Sequence, residues 1–235
     1  MNIIDMEIIH FFNQYSQSSF IFDSAVKFVA GNNLIKGGIM IGVFWWGWFR
    51  LHESQLHFRI HLVATLFSCF FAMVLARSLA LLLPFRLRPL HEENLDFVLP
   101  YSMKLIEFDG WSSFPSDHAV LFYALAAGMF YISKKVGVFV FLYTTLLISL
   151  PRIYLGLHYP SDIVFGALIG VLISCLCHSN YFVSKISRPA VYYWRERPEL
   201  FYPLFFIITY QIADMFENSR AFVRGLALSL QVFLA

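Results

Sequence analysis

Residues 136–178 read VGVFVFLYTTLLISLPRIYLGLHYPSDIVFGALIGVLISCLCH. Two apolar runs, 136–156 and 161–178, flank a short turn, and Arg152, His158 and Asp162 lie across it. Each run is close to the ~20 residues that a helix needs to cross ~30 Å of hydrocarbon. Working outward, the same pattern recurs at 32–50, 60–83, 118–133 and 200–216. The expectation is an all-α, polytopic membrane helical bundle with about six transmembrane helices, forming a single integral membrane domain over 1–235.

Composition points the same way. Of 235 residues, 59% are hydrophobic, 14% are charged and 27 are Phe. So much apolar surface excludes a soluble domain with a polar exterior, and equally excludes disorder. The formal charge is only +2 and no basic strip is present, so nucleic acid is not an expected partner. Cys69, Cys175 and Cys177 lie in apolar runs and read as small packing residues, not a disulfide framework. The first residues lack a basic n-region and a small-residue cleavage site, so no removable signal peptide is expected. Ile4, Ile8, Phe11 and Phe12 share one helical face while Asp5, Asn13 and Gln14 lie off it. That pattern predicts an N-terminal amphipathic helix in the membrane interface, with a packing helix as the alternative. Lys36, near one end of a span, is expected to snorkel toward water. The apolar stretch 221–235 is too short to span comfortably.

Two connections are long: 84–117, and the basic stretch 179–199. Arg50, Arg59, Lys134, Lys135, Lys185, Arg188, Arg195 and Arg197 fall on one side of the expected bundle, which assigns that side to the cytoplasm. The 84–117 link and the 157–160 turn then face outward. On that face three stretches converge: Arg86-Leu87-Arg88-Pro89, then Phe114-Pro115-Ser116-Asp117-His118, then Arg152, His158 and Asp162. Arg88 and Arg152 offer planar forks suited to phosphate oxygens, and Ser116 offers a hydroxyl. The span that begins at Pro115-Ser116 adds unpaired N–H groups at its start. His158 is a candidate nucleophile on phosphorus, oriented by Asp162, with His118 as general acid toward the leaving oxygen. No cluster of acids suited to magnesium is present, so the chemistry is expected to need neither metal nor cofactor. His10, His52, His57, His61, His91 and His178 read as interface or loop residues. Tyr101, Phe108 and Trp111 read as lipid-contact or packing residues, and Glu92, Glu93, Glu107 and Asp109 as a solvated face.

Within 77–170 these motifs resemble the type 2 phosphatidic acid phosphatase (PAP2) superfamily, membrane lipid phosphatases that share a pocket with vanadium haloperoxidases. Arg152, His158 and Asp162 match the family's third motif in spacing, Pro115, Ser116 and His118 its second, and Arg88-Pro89 the end of its first. The resemblance implies His158 as nucleophile, Asp162 as orienting acid and His118 as proton donor. It also implies phosphate binding by Arg88, Arg152, Ser116 and the backbone of Asp117. Leu81 stands at the family's first basic position; Arg86 is the nearer substitute and Arg77 the next. Asp117 replaces the usual Gly, so its carboxylate is expected to turn away or pair with an arginine, and Pro151 replaces a Ser. Pro-Ser-Asp-His with Gly-x-His-Tyr-Pro is similar to the bacterial undecaprenyl-diphosphate phosphatase branch.

The expected function is therefore metal-independent hydrolysis of a phosphate from a lipid phosphate or diphosphate, undecaprenyl diphosphate first among candidates. The expected place is a bacterial inner membrane, with the site on the extracytoplasmic face. Two alternatives stand beside it: a lipid phosphotransferase using the same phosphohistidine, and a non-enzymatic binder or transporter of anionic lipid.

Overall fold

The computed structural model describes residues 2–101, 103–105 and 110–219, together with 221, 222 and 225. The described residues form helices α1 (Ile3–Asn13), α2 (Phe20–Gly31), α3 (Ile39–Phe49), α4 (Gln55–Leu82), α5 (Asp117–Met129), α6 (Lys134–Tyr143), α7 (Leu150–Tyr154), α8 (Pro160–Cys177), α9 (Asn180–Phe182), α10 (Arg188–Glu196) and α11 (Pro198–Ala213). Among them there is no strand, and the fold is an all-α membrane helical bundle. Phe108, Glu107, Asp109 and almost all of 221–235 lie outside the described residues.

Three helical stretches are long and apolar enough to cross a bilayer: Gln55–Leu82, Lys134–Tyr154 and Pro160–Cys177. The bent pair Phe20–Gly31 and Leu34–Phe49, broken by 58°, makes a fourth if counted as one span. The expected spans at 118–133 and 200–216 are helical, but α5 and α11 are 13 and 16 residues long. The chain is an integral membrane protein whose helices keep their own backbone groups satisfied, as hydrocarbon requires.

The core is α5 held between α4 and α8. Along α8, Ile163, Gly166, Gly170, Ser174 and Cys177 form the buried stripe, while Val164, Phe165, Leu168, Leu172 and Leu176 are exposed on the lipid side. The stripe carries small residues because the helices nearly touch. A Cβ on Gly170 would lie 2.3 Å from the Val120 carbonyl oxygen of α5. Close backbone approach by small residues is the usual route to tight packing in lipid, where no hydrophobic drive separates helix from tail. Cys69 and Cys177 are buried, whereas Cys175 is exposed.

Two stretches differ from their sequence reading. The 179–199 connection is largely helical, with a π-helical turn Val183–Ser187 leading into α10. Val191 is buried there, with Ala190 partly buried beside it and Pro189 and Tyr192 exposed, so the stretch is an amphipathic helix and not a loop. In α1 the amphipathicity is inverted. Asp5 and Asn13 are buried against the protein with Ile9, while Ile3, Ile4 and Phe11 are exposed. The Asn13 side chain donates to the Val98 carbonyl at 2.7 Å and accepts the Val98 N–H at 2.9 Å. The helix is tied to the 84–117 link through its polar side, with Ile8 and Phe12 partly packed against the core and Ile3, Ile4 and Phe11 left for lipid.

That link contains two short 3₁₀ turns, Pro89–His91 and Glu93–Leu95, and covers one end of the bundle. Leu90 and Met103 pack with Tyr154, Leu155, Leu157 and Ala30. Gly156 makes this closure possible. Its φ is +68°, and a Cβ there would meet the Phe97 ring at 2.7 Å. Any other residue would strain the turn that delivers His158.

Candidate active site

The C-terminal ends of α4 and α7 and the N-terminal ends of α5 and α8 meet at the covered end of the bundle. A cavity of about 430 Å³ opens there, lined among others by Arg77, Arg88, Asp117, His118, Arg152 and His158. Arg152 reaches it because α6 and α7 are joined by a π-helical segment, Thr144–Ser149, next to Pro151. Pro151 has no N–H to give the ladder, and the widened turn accommodates that loss.

His158 is 5% exposed and its orientation is fixed by one hydrogen bond. Its Nδ1 lies 2.8 Å from the Ser113 carbonyl oxygen. A carbonyl only accepts, so Nδ1 carries the proton and Nε2 keeps its lone pair. Asp162 is 3.8 Å from the same Nδ1, too far for a direct hydrogen bond. Its Oδ2 instead accepts from the Ser113 hydroxyl at 2.7 Å and the Tyr159 N–H at 2.9 Å. The orienting role expected of Asp162 is thus shared with Ser113, a residue the sequence motifs did not single out. Burial lowers the His158 pKa from its ordinary value; the Asp162 carboxylate opposes this and the Arg88 charge adds to it.

Arg86 is not at the cavity. Its guanidinium bridges Asp162 and Asp5, donates to the Ser161 hydroxyl at 3.0 Å, and lies over the Tyr159 ring at 4.1 Å. Asp5 is 1% exposed, and also accepts from the Ser161 N–H at 2.9 Å and hydroxyl at 2.6 Å. Arg86, expected to stand in for Leu81 at the phosphate, is therefore a supporting residue behind Asp162. The physical reason is charge: two buried carboxylates need a cation between them, and Arg86 is in reach. Arg77, one helical turn before Leu81, does line the cavity. Its Nη1 donates to Asp117 Oδ2 at 2.7 Å, and its guanidinium stands 5.3 Å from the centre of the Trp111 ring. Asp117 thus pairs with an arginine as its replacement of Gly requires, and Trp111 lines the cavity.

The other cations are held by backbone. Arg88 donates from Nη1 to the Leu157 carbonyl at 2.7 Å and from Nε to the Trp111 carbonyl at 3.2 Å. Burial lowers its pKa to about 10, so it stays charged at neutral pH. Arg152, 2% exposed, donates to the Ile148 and Ala30 carbonyls at 2.7 and 2.8 Å, and its Nε has no partner among the described residues. The Nε2 of His118 is likewise buried without a partner. The Ser116 hydroxyl is spent on capping α5, accepting from the Ala119 N–H at 3.5 Å, and Ser116 does not line the cavity. Lys36 does line it and is 8% exposed, so it does not snorkel outward as its position suggested. Met215 and Glu217, just past α11, reach the same cavity. No group of three or more His, Cys, Asp or Glu among the described residues is arranged to hold a metal ion.

His61 and His178, read as interface or loop residues, are buried instead at the far end of the bundle. Their rings stack at 5.3 Å and 5° interplanar, and Tyr131 stacks on His178 at 4.0 Å.

A pocket of this kind, with two histidines and several guanidinium groups at the mouth of a membrane bundle, suits a phosphorylated ligand. Comparison with known proteins agrees in class. The model of the PAP2 superfamily matches residues 60–186, and the chain belongs to that family. It is 42% identical over 84 residues to the bacitracin transport permease protein BcrC of Bacillus licheniformis, covering 35% of this chain and 41% of that one. It is 36% identical over 122 residues to lipid A 4'-phosphatase of Bacteroides thetaiotaomicron, covering 50% of this chain and 53% of that one. The matches thus span about half or less of these relatives. No solved structure matches significantly.

Proposed function

We propose that this chain is a lipid phosphatase that removes a phosphate from a lipid phosphate or diphosphate by way of a phosphohistidine on His158. One observation carries the reading: His118 and His158 line a single cavity with Arg88 and Arg152, at the end of a membrane bundle. His158 Nε2 attacks phosphorus, forming a P–N bond as the bond to the leaving oxygen breaks. His118 gives that oxygen its proton. Water then attacks the phosphohistidine, His118 takes the water's proton, and the P–N bond breaks to release phosphate. Arg88 and Arg152 stabilise the equatorial oxygens through the transfer. His118 sits among cations, so the incoming anion provides the charge that lets it hold a proton.

The name of one relative, lipid A 4'-phosphatase, supports a lipid phosphate as substrate. The Pro-Ser-Asp-His and Gly-x-His-Tyr-Pro motifs support undecaprenyl diphosphate as the first to try. The basic residues at the opposite end of the bundle support an extracytoplasmic site in a bacterial inner membrane. The test is phosphate release by the purified chain from polyprenyl diphosphates, phosphatidic acid and phosphatidylglycerophosphate, with excess chelator present. Release from at least one is expected. Phosphate that reaches only an added acceptor lipid would make the chain a phosphotransferase, and binding without turnover would leave a lipid binder.

A further inference from the structure

Lys36 belongs to the π-helical turn Leu34–Gly38, outside the residues that match the family. Lys36 is buried at the cavity, and its side chain makes no hydrogen bond or ion pair to any described residue. An ammonium group at this depth is costly unless an anion meets it. The nearby acids do not fill that place. Asp214 and Glu217 act on Lys36 only at longer range. Asp214 is already bound by the Asn33 amide at 3.0 Å.

The turn is also fixed in place. The Tyr143 hydroxyl donates to the Ile35 carbonyl at 2.7 Å, and the Asn32 side chain accepts the Ile35 N–H at 3.0 Å. Gly37 is pressed so close to α11 that a Cβ would fall 2.0 Å from the Ala213 carbonyl oxygen. Several contacts from separate helices thus hold one lysine at one cavity.

Its side of the cavity can be read from His118. Lys36 and His118 line the same cavity, and Lys36 is among the charges that act on the His118 ring but not among those that act on His158. Lys36 therefore sits toward the proton donor, where the leaving oxygen departs. A lipid monophosphate departs as an alcohol, which needs a proton but no cation. A lipid diphosphate departs as a lipid monophosphate, whose oxygens are anionic and gain from an ammonium group.

Building on the phosphatase reading, we infer that Lys36 binds the lipid-attached phosphoryl group of a diphosphate substrate and makes the site selective for lipid diphosphates over monophosphates. The test compares kcat/KM of the full chain, Lys36→Met and Lys36→Arg on a polyprenyl diphosphate and on the monophosphate of the same chain length. Lys36→Met should lose about 10- to 100-fold on the diphosphate, the effect of one charged hydrogen bond, and under about threefold on the monophosphate. Lys36→Arg should recover most of the diphosphate activity. Equal loss on both substrates, or no loss, would overturn the assignment while leaving a working phosphatase. An unaltered chain inactive on both would instead remove the phosphatase reading and this one with it. A second measurement needs no variant. Inorganic pyrophosphate should compete at least about tenfold more tightly than orthophosphate, because it fills both anion positions; equal competition overturns the proposal.

Discussion

The two histidines of the site are the same side chain in opposite surroundings. Behind His158 every group is bonded to the next: Ser113 to the imidazole and to Asp162, Asp162 to Arg86, Arg86 to Asp5, and Asp5 to Ser161. Around His118 the wall has unfilled polar groups, with Nε2 of the ring and Nε of Arg152 both lacking partners among the described residues. On the proposed mechanism, the contrast separates a group that must keep one tautomer and one direction from a group whose proton must come and go. A nucleophile gains from rigidity because attack geometry is narrow. A proton donor gains from a setting in which substrate itself completes the charge balance.

The largest test of this division is the pair of alanine variants. His158→Ala should lower kcat by about 10⁴-fold or more, because no intermediate can form. His118→Ala should cost about 10²- to 10⁴-fold on an alkyl phosphate, and much less on nitrophenyl phosphate, whose leaving group needs no proton. Similar losses for both variants on both substrates would erase the distinction.

The bonded wall can be loosened one layer back. Arg86→Met should lower kcat by about 10- to 100-fold with little change in KM, since Arg86 is outside the cavity. The pH profile gives the sharper readout. In the intact protein, burial holds the His158 pKa below its ordinary value, so the neutral imidazole persists on the acid side. Without Arg86 the Asp162 charge would act on the imidazole unshared and favour its protonated form. The acid limb of kcat/KM should therefore move to higher pH. A lower melting temperature with an unmoved limb would mean that Arg86 only stabilises the fold. Asp5→Asn should change kcat by about three- to tenfold, since the amide oxygen keeps the Ser161 N–H contact while the NH2 group cannot accept from Arg86.

The smallest effect is expected at the cavity rim. Arg77 and Asp117 form a pair whose side chains are 32% and 15% exposed, and pairs open to water contribute about 1 kcal/mol or less. Asp117→Gly, which brings the family's residue back, should change kcat/KM by less than about threefold. A rise well beyond that would show that the carboxylate opposes the substrate's charge, and would move Arg77 from spectator to phosphate ligand.

What was legible beforehand follows the range of the interactions. Arg152, His158 and Asp162 lie within one turn and its flanking helix ends, so their spacing alone places them together. His118 and Arg88 join them because each adjoins a helix end on the same side. Asp5 and Arg86 are 81 residues apart, and nothing local marks them as a pair. The α1 pattern told that two faces differ, but not that the polar one would be the protein's. For Lys36 a signal existed: a lysine in an apolar run, followed by two glycines. Its usual explanation, a side chain reaching for water, is equally compatible with the sequence. The structure instead buries it at the cavity, in the turn that follows the 58° bend. The 179–199 stretch misled because its Arg and Pro content reads as a connection, while its amphipathic period needed a membrane surface to favour helix.

The buried carboxylate of α1 has a practical outcome for anyone trimming this protein. A version begun at Phe20 would keep every recognisable motif and the whole family-matched segment, and any inventory of signatures would pass it as intact. At the bench its His158 would rest on a support with one prop missing.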